Sequence, residues 1–256
     1  MATAPQQHLM TDGLILREYE SPTEADRFVA ILTRDRGVIR ASARGAKRPK
    51  SRFGSSTQPL CYARLSLLPG RDKYIIEDAQ PIEVFFALRQ DIERLALAQY
   101  FCELALHLCP PDAPAPQHLR LLLNALHYLA AGEKNPLLIK AVVESRLLAL
   151  EGYTPDLMGC AACGSEELPL WFSPVAGTLT CADHGGAAAD AIEVSAVVLA
   201  ALRHVFYGDF ERCFAFMLPE GDAASLATLL ERFLLAQQQR RYTTLDFYHT
   251  LRMEGL

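Results

Sequence analysis

Four side chains between residues 160 and 184 have the chemistry and spacing to hold one metal ion. Cys160-Ala161-Ala162-Cys163-Gly164 forms the first half, and Cys181-Ala182-Asp183-His184-Gly185 forms the second. A tetrahedral Zn2+ takes four soft or borderline ligands, and a histidine nitrogen is accepted beside three cysteine sulfurs. A two-residue gap lets both members of a pair face one ion. The glycine after each pair permits a left-handed turn that brings backbone N–H groups toward the ligand sulfur. Leu170-Trp171-Phe172 and Thr178-Leu179-Thr180 flank Ser173-Pro174-Val175-Ala176-Gly177, which reads as a hairpin carrying the two halves together. With Cys160, Cys163, Cys181 and His184 all in place, no position is left for water. The expected site is closed and holds one structural zinc ion rather than a catalytic one.

The second concentration of chemistry is electrostatic. Between Arg34 and Arg52 stand eight cations (Arg34, Arg36, Arg40, Arg44, Lys47, Arg48, Lys50 and Arg52) and one anion, Asp35, a local charge of +7. The chain as a whole carries −5, so the remainder carries −12. A basic strip on an acidic body binds phosphate locally and repels it elsewhere. A solvated charged loop is the plainer alternative, but a run dominated by one sign points to nucleic acid. These eight residues are the expected DNA contacts, made to phosphates with little sequence preference. Phe53 and Tyr74 could stack on bases, with a core role as the alternative for Tyr74.

Catalytic constellations are not visible in the sequence. There is no phosphate-cradling Gly-x-x-x-x-Gly-Lys-Ser/Thr loop, no Gly-x-Ser-x-Gly and no His-Glu-x-x-His. A zinc deaminase would need His-x-Glu or Cys-x-Glu upstream of Pro-Cys-x-x-Cys, whereas Gly159 precedes Cys160. The histidines fall mostly within helical patterns, and the acidic residues are dispersed. The reading is of a binding protein, not an enzyme.

The elements that must position these residues change character along the chain. Residues 9 to 80 read as five short strands. Arg27–Thr33 and Val38–Ala41 form a hairpin about the turn Asp35-Arg36-Gly37, and Tyr62–Leu68 and Lys73–Glu77 form another about Pro69-Gly70. The connection from Gly45 to Pro59, with its glycines, proline and serines, reads as mobile. Five strands with one long basic connection suit a small closed barrel of the OB type, although periodicity does not separate this from an SH3-like barrel. From Pro81 the apolar residues recur at three- and four-residue spacing, which predicts helix up to the stiff linker Pro110–Pro116. Further helices are predicted at 118–131, 137–150, 192–207 and 223–239. Gly185-Gly186-Ala187-Ala188-Ala189 reads as a short flexible joint. The fold class is therefore α+β and multidomain: an OB-like five-stranded barrel over 1–80, a helical domain over 81–154 and 187–256, and a zinc-binding insertion over 155–186.

Half of the 256 residues are hydrophobic and 21% are charged, the balance of a folded, well-buried protein. No apolar run reaches the roughly 18–20 residues that cross a bilayer. The first residues, MATAPQQHLM, lack the basic start and apolar core of a signal peptide. A cytoplasmic location follows, and there the seven cysteines are not a disulfide framework. Cys61, Cys102, Cys109 and Cys213 read as buried small hydrophobes.

The order of these pieces resembles the RecO family of bacterial recombination mediators. The resemblance is carried by Leu32-Thr33-Arg34-Asp35-Arg36-Gly37, by Ala43-Arg44-Gly45-Ala46-Lys47-Arg48-Pro49-Lys50-Ser51, and by Gly152-Tyr153-Thr154-Pro155-Asp156-Leu157 leading into Cys160-x-x-Cys163-Gly164. Leu234 to Leu251 is similar to the family's closing helix. The resemblance implies a nucleoid-associated role in DNA repair by recombination. It implies binding of single- and double-stranded DNA, annealing of complementary strands, and action with RecR and with the acidic C-terminal tail of single-strand DNA-binding protein to help load RecA. Family members with zinc typically use four cysteines, and His184 departs from that pattern. Two other classes remain open on the residues alone. One is a protein-interaction adaptor whose basic loop binds acidic tails, and the other is a zinc-ribbon transcription or RNA-processing factor.

Overall fold

A computed structural model of the chain describes residues 8–21, 23–185 and 189–254. The joint read at 185–189 lies largely outside the described residues, as does most of the N-terminal segment. The chain divides into two compact units. One holds the residues up to Ala131 together with those from Tyr242 onward, and the other spans Gly132–Arg241. The helices read as one domain over 81–154 and 187–256 are thus shared between two units.

The first unit is built on strands β1 (Leu9–Tyr19), β2 (Arg27–Thr33), β3 (Gly37–Ala43), β4 (Cys61–Pro69) and β5 (Tyr74–Val84). They close into a barrel in the order β1-β2-β3-β5-β4, with β1 pairing β4 antiparallel and β3 pairing β5 parallel. This is the closed five-stranded barrel expected of an OB-like domain. Closure depends on β1, which pairs with β4 through Leu9–Leu14 and with β2 through Gly13–Tyr19. Period-two alternation turns Ile15, Val29, Ile31, Ile39, Ala41, Leu65, Leu67 and Ile76 into the barrel core.

The helical period begins later than Pro81. Strand β5 runs to Val84, where Glu83 and Val84 pair with Tyr62 and Cys61. A short 3-10 turn, Phe86–Gln90, then precedes helix α1 (Ile92–Leu108). Long-range strand pairing has overridden the local spacing at 81–84, as tertiary context commonly does. Helices α1 and α2 (Pro116–Ala131) pack on β1 and β2 and bury Leu14, Leu16 and Leu32 on the barrel's outer side.

Two connections are more ordered than their composition suggests. Gly45–Pro59 folds back onto the barrel, with Ala46 and Phe53 in its core. The Arg27 guanidinium donates to the Gly54 carbonyl at 2.5 Å and to the Thr57 hydroxyl at 2.8 Å, and the Lys47 amide donates to the Ala25 carbonyl at 3.0 Å. Pro110–Pro116 lies along the β2–β3 turn instead of acting as a spacer. The Val38 N–H donates to the Pro110 carbonyl at 3.0 Å, and the Ala115 N–H to the Arg34 carbonyl at 2.9 Å. Gly37 sits in that contact with φ +55°, and a Cβ there would run into the Pro110 carbonyl oxygen. Gly37→Ala therefore combines a left-handed backbone with a backbone clash. It is expected to destabilise the protein by about 2 kcal/mol or more, read as a lowered urea midpoint.

The second unit contains α3 (Pro136–Leu150), a four-stranded sheet of β6 (Asp156–Cys160), β7 (Leu170–Ser173), β8 (Thr178–Cys181) and β9 (Ile192–Val194), then α4 (Ala196–Tyr207) and α5 (Glu220–Gln238). The sheet order is β6-β8-β7-β9. Residues 192–194 are thus strand and not the start of a helix. Helix α4 begins behind Ser195, whose hydroxyl accepts the Val198 N–H at 3.2 Å. Phe172 of the sheet meets Phe233 of α5 with ring centroids 5.7 Å apart. Helix α3 is buried almost all round, and its Lys140 ammonium lies 2.7 Å from Glu144 and 2.8 Å from Glu231.

Leu234–Leu251 is not one closing helix. Helix α5 ends at Gln238, Gln239 caps it in the left-handed region (φ 47°), and α6 (Thr243–Glu254) starts afresh in the first unit. The start of α6 is held by Glu103 of α1, whose carboxylate accepts the Thr244 N–H at 3.0 Å.

Candidate metal centre and nucleic-acid interface

The structure brings Cys160, Cys163, Cys181 and His184 together, with one ligand atom of each within 4.8 Å of the others. The predicted hairpin is present: β7 and β8 pair antiparallel, Leu170 opposite Cys181 and Ser173 opposite Thr178. Strand β8 also pairs parallel with β6, placing Cys160 beside Leu179. The two sequence halves therefore meet across adjacent strands. Gly164 (φ +73°) and Gly185 (φ +118°) both take the left-handed turn expected of them.

The donor set fits a tetrahedral cation. Cys163 Sγ lies 3.9 Å from Cys181 Sγ, and Cys181 Sγ lies 3.2 Å from His184 Nδ1. Zinc–sulfur bonds of about 2.3 Å place two sulfurs about 3.8 Å apart. Backbone N–H groups of Cys181, Ala162 and Cys163 aim at Cys160 and hold its thiol well below the ordinary value. Desolvation and the bond to Cys160 push the Cys181 thiol the other way. Thiols this close do not all ionise together unless a cation sits among them. The cluster can hold a metal ion.

The centre is anchored to α4 and α5. Tyr207 Oη donates to the Pro155 carbonyl at 2.6 Å and accepts the Leu157 N–H at 2.9 Å. Arg203 Nε donates to the Leu157 carbonyl at 2.8 Å, and Gln237 Nε2 reaches the Pro174 carbonyl at 3.1 Å. The four remaining cysteines are buried, and burial pushes the Cys102 thiol up to about 12. They behave as the small hydrophobes the sequence implies.

All eight residues of the basic strip are exposed, but they do not form one continuous arm. Arg34 and Arg36 flank the β2–β3 turn, and Arg34 pairs with Asp35 at 3.4 Å. Arg40 projects from the outer side of β3. Arg44 and Arg48 stand near Asp26, whose carboxyl is held low first by the Gly45 N–H at 2.7 Å, next by the Thr23 side chain, and to a smaller extent by these cations. Lys47 pairs with Glu18 at 2.7 Å. Arg52 donates to the Glu77 carbonyl at 3.0 Å and lies over the Phe53 ring, which is only 8% exposed. Lys47 and Arg52 thus help fasten the 44–60 connection to the barrel. Phe53 is a core residue and not a stacking surface. Tyr74 is half-buried against the same core.

Residues that the charge count passed over share the outer side of the barrel with Arg40. Tyr19 of β1 is opposite Phe28 of β2, and Phe28 is opposite Ser42 of β3. Two residues along, and so on the same face, Arg17 is opposite Ala30 and Ala30 is opposite Arg40. The Tyr19 and Phe28 rings are 5.6 Å apart. Arg17 and Arg40 stand over Tyr19 at 5.6 and 5.8 Å, and Lys73 stands over Phe28 at 4.7 Å. Strand parity could have found these residues, because directly opposed residues share a face. The missing knowledge was the register, in which β1 shifts between Ile15 and Arg17.

Comparison with known proteins covers nearly the whole chain. A family model described as Recombination protein O N terminal matches residues 7–85, and one described as Recombination protein O C terminal matches residues 89–246. A protein named DNA repair protein RecO from Acetivibrio thermocellus is 32% identical over 245 residues, 95% of this chain and 97% of its own length. One of the same name from Symbiobacterium thermophilum is 32% identical over 94% of this chain and 96% of its own length. Another from Desulforudis audaxviator is 41% identical over 172 residues, 67% of this chain and 68% of its own.

Proposed function

The chain belongs to the RecO family of DNA repair proteins, and on that premise we propose that it acts in recombinational repair by binding DNA through its barrel. The observation that carries the reading is the set of exposed cations on the barrel of an otherwise acidic chain. Arg34, Arg36, Arg40, Arg44, Arg48 and Lys50 take phosphates of single- or double-stranded DNA, with Lys47 and Arg52 at the margin. Annealing needs no catalytic side chain. Two strands repel each other through their phosphates, and local positive charge lowers that repulsion. The recombination-mediator reading includes RecR and the acidic tail of single-strand DNA-binding protein as partners, with RecA loaded as the outcome. It places the protein in the cytoplasm at the nucleoid, and among the described residues no helix is long and apolar enough to cross a membrane. Zinc is the ion proposed for the Cys160–Cys163–Cys181–His184 centre, where its part is structural.

If about five to eight phosphates are neutralised, the log–log salt slope for single-strand binding is expected near −3.5 to −6. Arg44→Ala/Arg48→Ala/Lys50→Ala should flatten that slope by about 2 and weaken binding at low salt, because each lost contact removes about 0.7 from it. Anisotropy titrations across salt concentrations test both. Salt-independent binding would overturn the phosphate reading, and an unchanged slope in the triple variant would move the site off the strip.

A further inference from the structure

We propose that the outer side of β1, β2 and β3 is a platform for an unpaired base, with Tyr19 and Phe28 as the stacking rings and Arg17, Arg40 and Lys73 holding the adjoining phosphates. The proposal rests on the DNA-binding reading above and deepens it. It gives the barrel a means of telling single strands from duplex, which a strip of phosphate contacts lacks.

Three observations carry it. The first is position. Leu14, Leu16 and Leu32 on this side of the barrel are buried, whereas the stretch bearing Tyr19 and Phe28 leaves both rings half-exposed. An aromatic pair of that kind on a strand face is not needed by the barrel core, which is complete on the inner side.

The second is charge. Arg17, Arg40 and Lys73 lie over the ring faces and, among the described residues, have no carboxylate partner within ion-pair distance. Arg34 and Lys47 of the basic strip do have such partners. Three unneutralised cations close to two rings repel one another, and an anion among them relieves that repulsion. A nucleotide supplies both the anion and a flat base. An exposed cation–ring contact is weaker than a base stacked on the same ring. The exchange therefore runs toward the base, and the displaced guanidinium groups turn to the flanking phosphates.

The third is continuity. A cleft of about 410 Å3 begins at Arg40 and Val38 and is lined further by Arg71, Lys73 and Tyr74, with the carboxylates of Asp72 and Asp112 also on its walls. A single strand leaving the rings has a path there. A duplex keeps its bases stacked inward and offers the rings nothing.

The test compares three probes of equal length by anisotropy: an oligothymidylate, the same backbone with abasic sites throughout, and a blunt duplex. The wild-type chain is expected to bind the oligothymidylate roughly ten- to a hundredfold more tightly than the abasic strand. Tyr19→Leu/Phe28→Leu keeps apolar bulk and should reduce that ratio to about one, with abasic and duplex binding nearly unchanged. Tyr19→Phe/Phe28→Tyr keeps both rings and should retain the ratio. Thermal melting of each variant checks that the barrel is intact. Equal wild-type affinity for the base-bearing and abasic strands overturns the platform while leaving phosphate binding in place, as does full discrimination by the leucine pair. Failure of the wild-type chain to bind any of the probes overturns the DNA-binding reading itself, and the platform with it.

Discussion

Cys160→Ser is expected to abolish stoichiometric zinc binding and to unfold the small sheet of the second unit. Cys160 is 2% exposed and is the ligand toward which three backbone N–H groups are directed. The sheet around it is slight, with strands of three to five residues. Strands of that length carry little stability of their own. A structural ion that ties β6 to the β7–β8 hairpin contributes its binding free energy to folding, and removing a ligand withdraws it. A serine hydroxyl leaves three ligands and a buried polar group in place of a thiolate. Metal analysis should find close to one zinc per wild-type chain and almost none in the variant. The melting temperature should fall by roughly 10 °C, since each kcal/mol is worth about 2–4 °C in a chain of this size. His184→Cys supplies an equivalent ligand and should keep the metal. Single-strand binding should change little in Cys160→Ser, because the barrel belongs to the other unit. A wild-type protein purified with no metal and fully folded would end the structural-zinc proposal.

Lys140→Ala should cost about 3–5 kcal/mol of stability. Lys140 is 1% exposed and Glu144 0%, so neither charge has water to fall back on. The alanine leaves Glu144 ionised without its cation, or forces it to take up a proton, and both are expensive. Glu231 is less exacting, because its side chain keeps 19% of its exposure. Lys140→Met/Glu144→Leu removes both buried charges and fills the space. It should recover most of the loss, since replacing a whole buried pair with apolar residues of similar volume is often neutral or better. Urea unfolding of the two variants reads the difference directly. A loss below about 1 kcal/mol in Lys140→Ala would mean that water reaches Glu144.

The parts of the molecule that were legible in the sequence are those governed by short-range rules. The hairpin at Asp35-Arg36-Gly37 is one, since Gly37 is positioned for the turn and the flanking residues are strand formers. The metal cluster is another, because two ligand pairs each closed by glycine specify much of their own geometry. What escaped depends on partners distant in sequence. The Gly45–Pro59 connection looks loose until Arg27 is known to bind Gly54 and Thr57. Phe53 looks available to a base until the barrel that encloses it is drawn. Lys140 and Glu144 have the spacing of a surface pair, and only the burial of α3 on most of its sides makes them interior. Gln239 ends α5 with none of the glycine or proline that marks a helix stop. Tyr19 and Phe28 were hidden for a different reason. They lie outside the charge run and carry no charge of their own, and only the strand register sets them beside Arg40.

The placement of α6 has a consequence for how the chain is made. Its first turn is capped by Glu103, and Tyr242 just before it meets Tyr100 edge-on with ring centroids 6.0 Å apart. The first unit is therefore finished by residues that leave the ribosome after the entire second unit has been synthesised. A nascent chain can close its barrel early, but α1 waits with its α6-facing side uncovered until translation reaches α6. Release of a prematurely terminated product leaves that side bare, an apolar signal of the kind that chaperones and proteases recognise. Completion of the first unit thereby depends on residues made after the second unit.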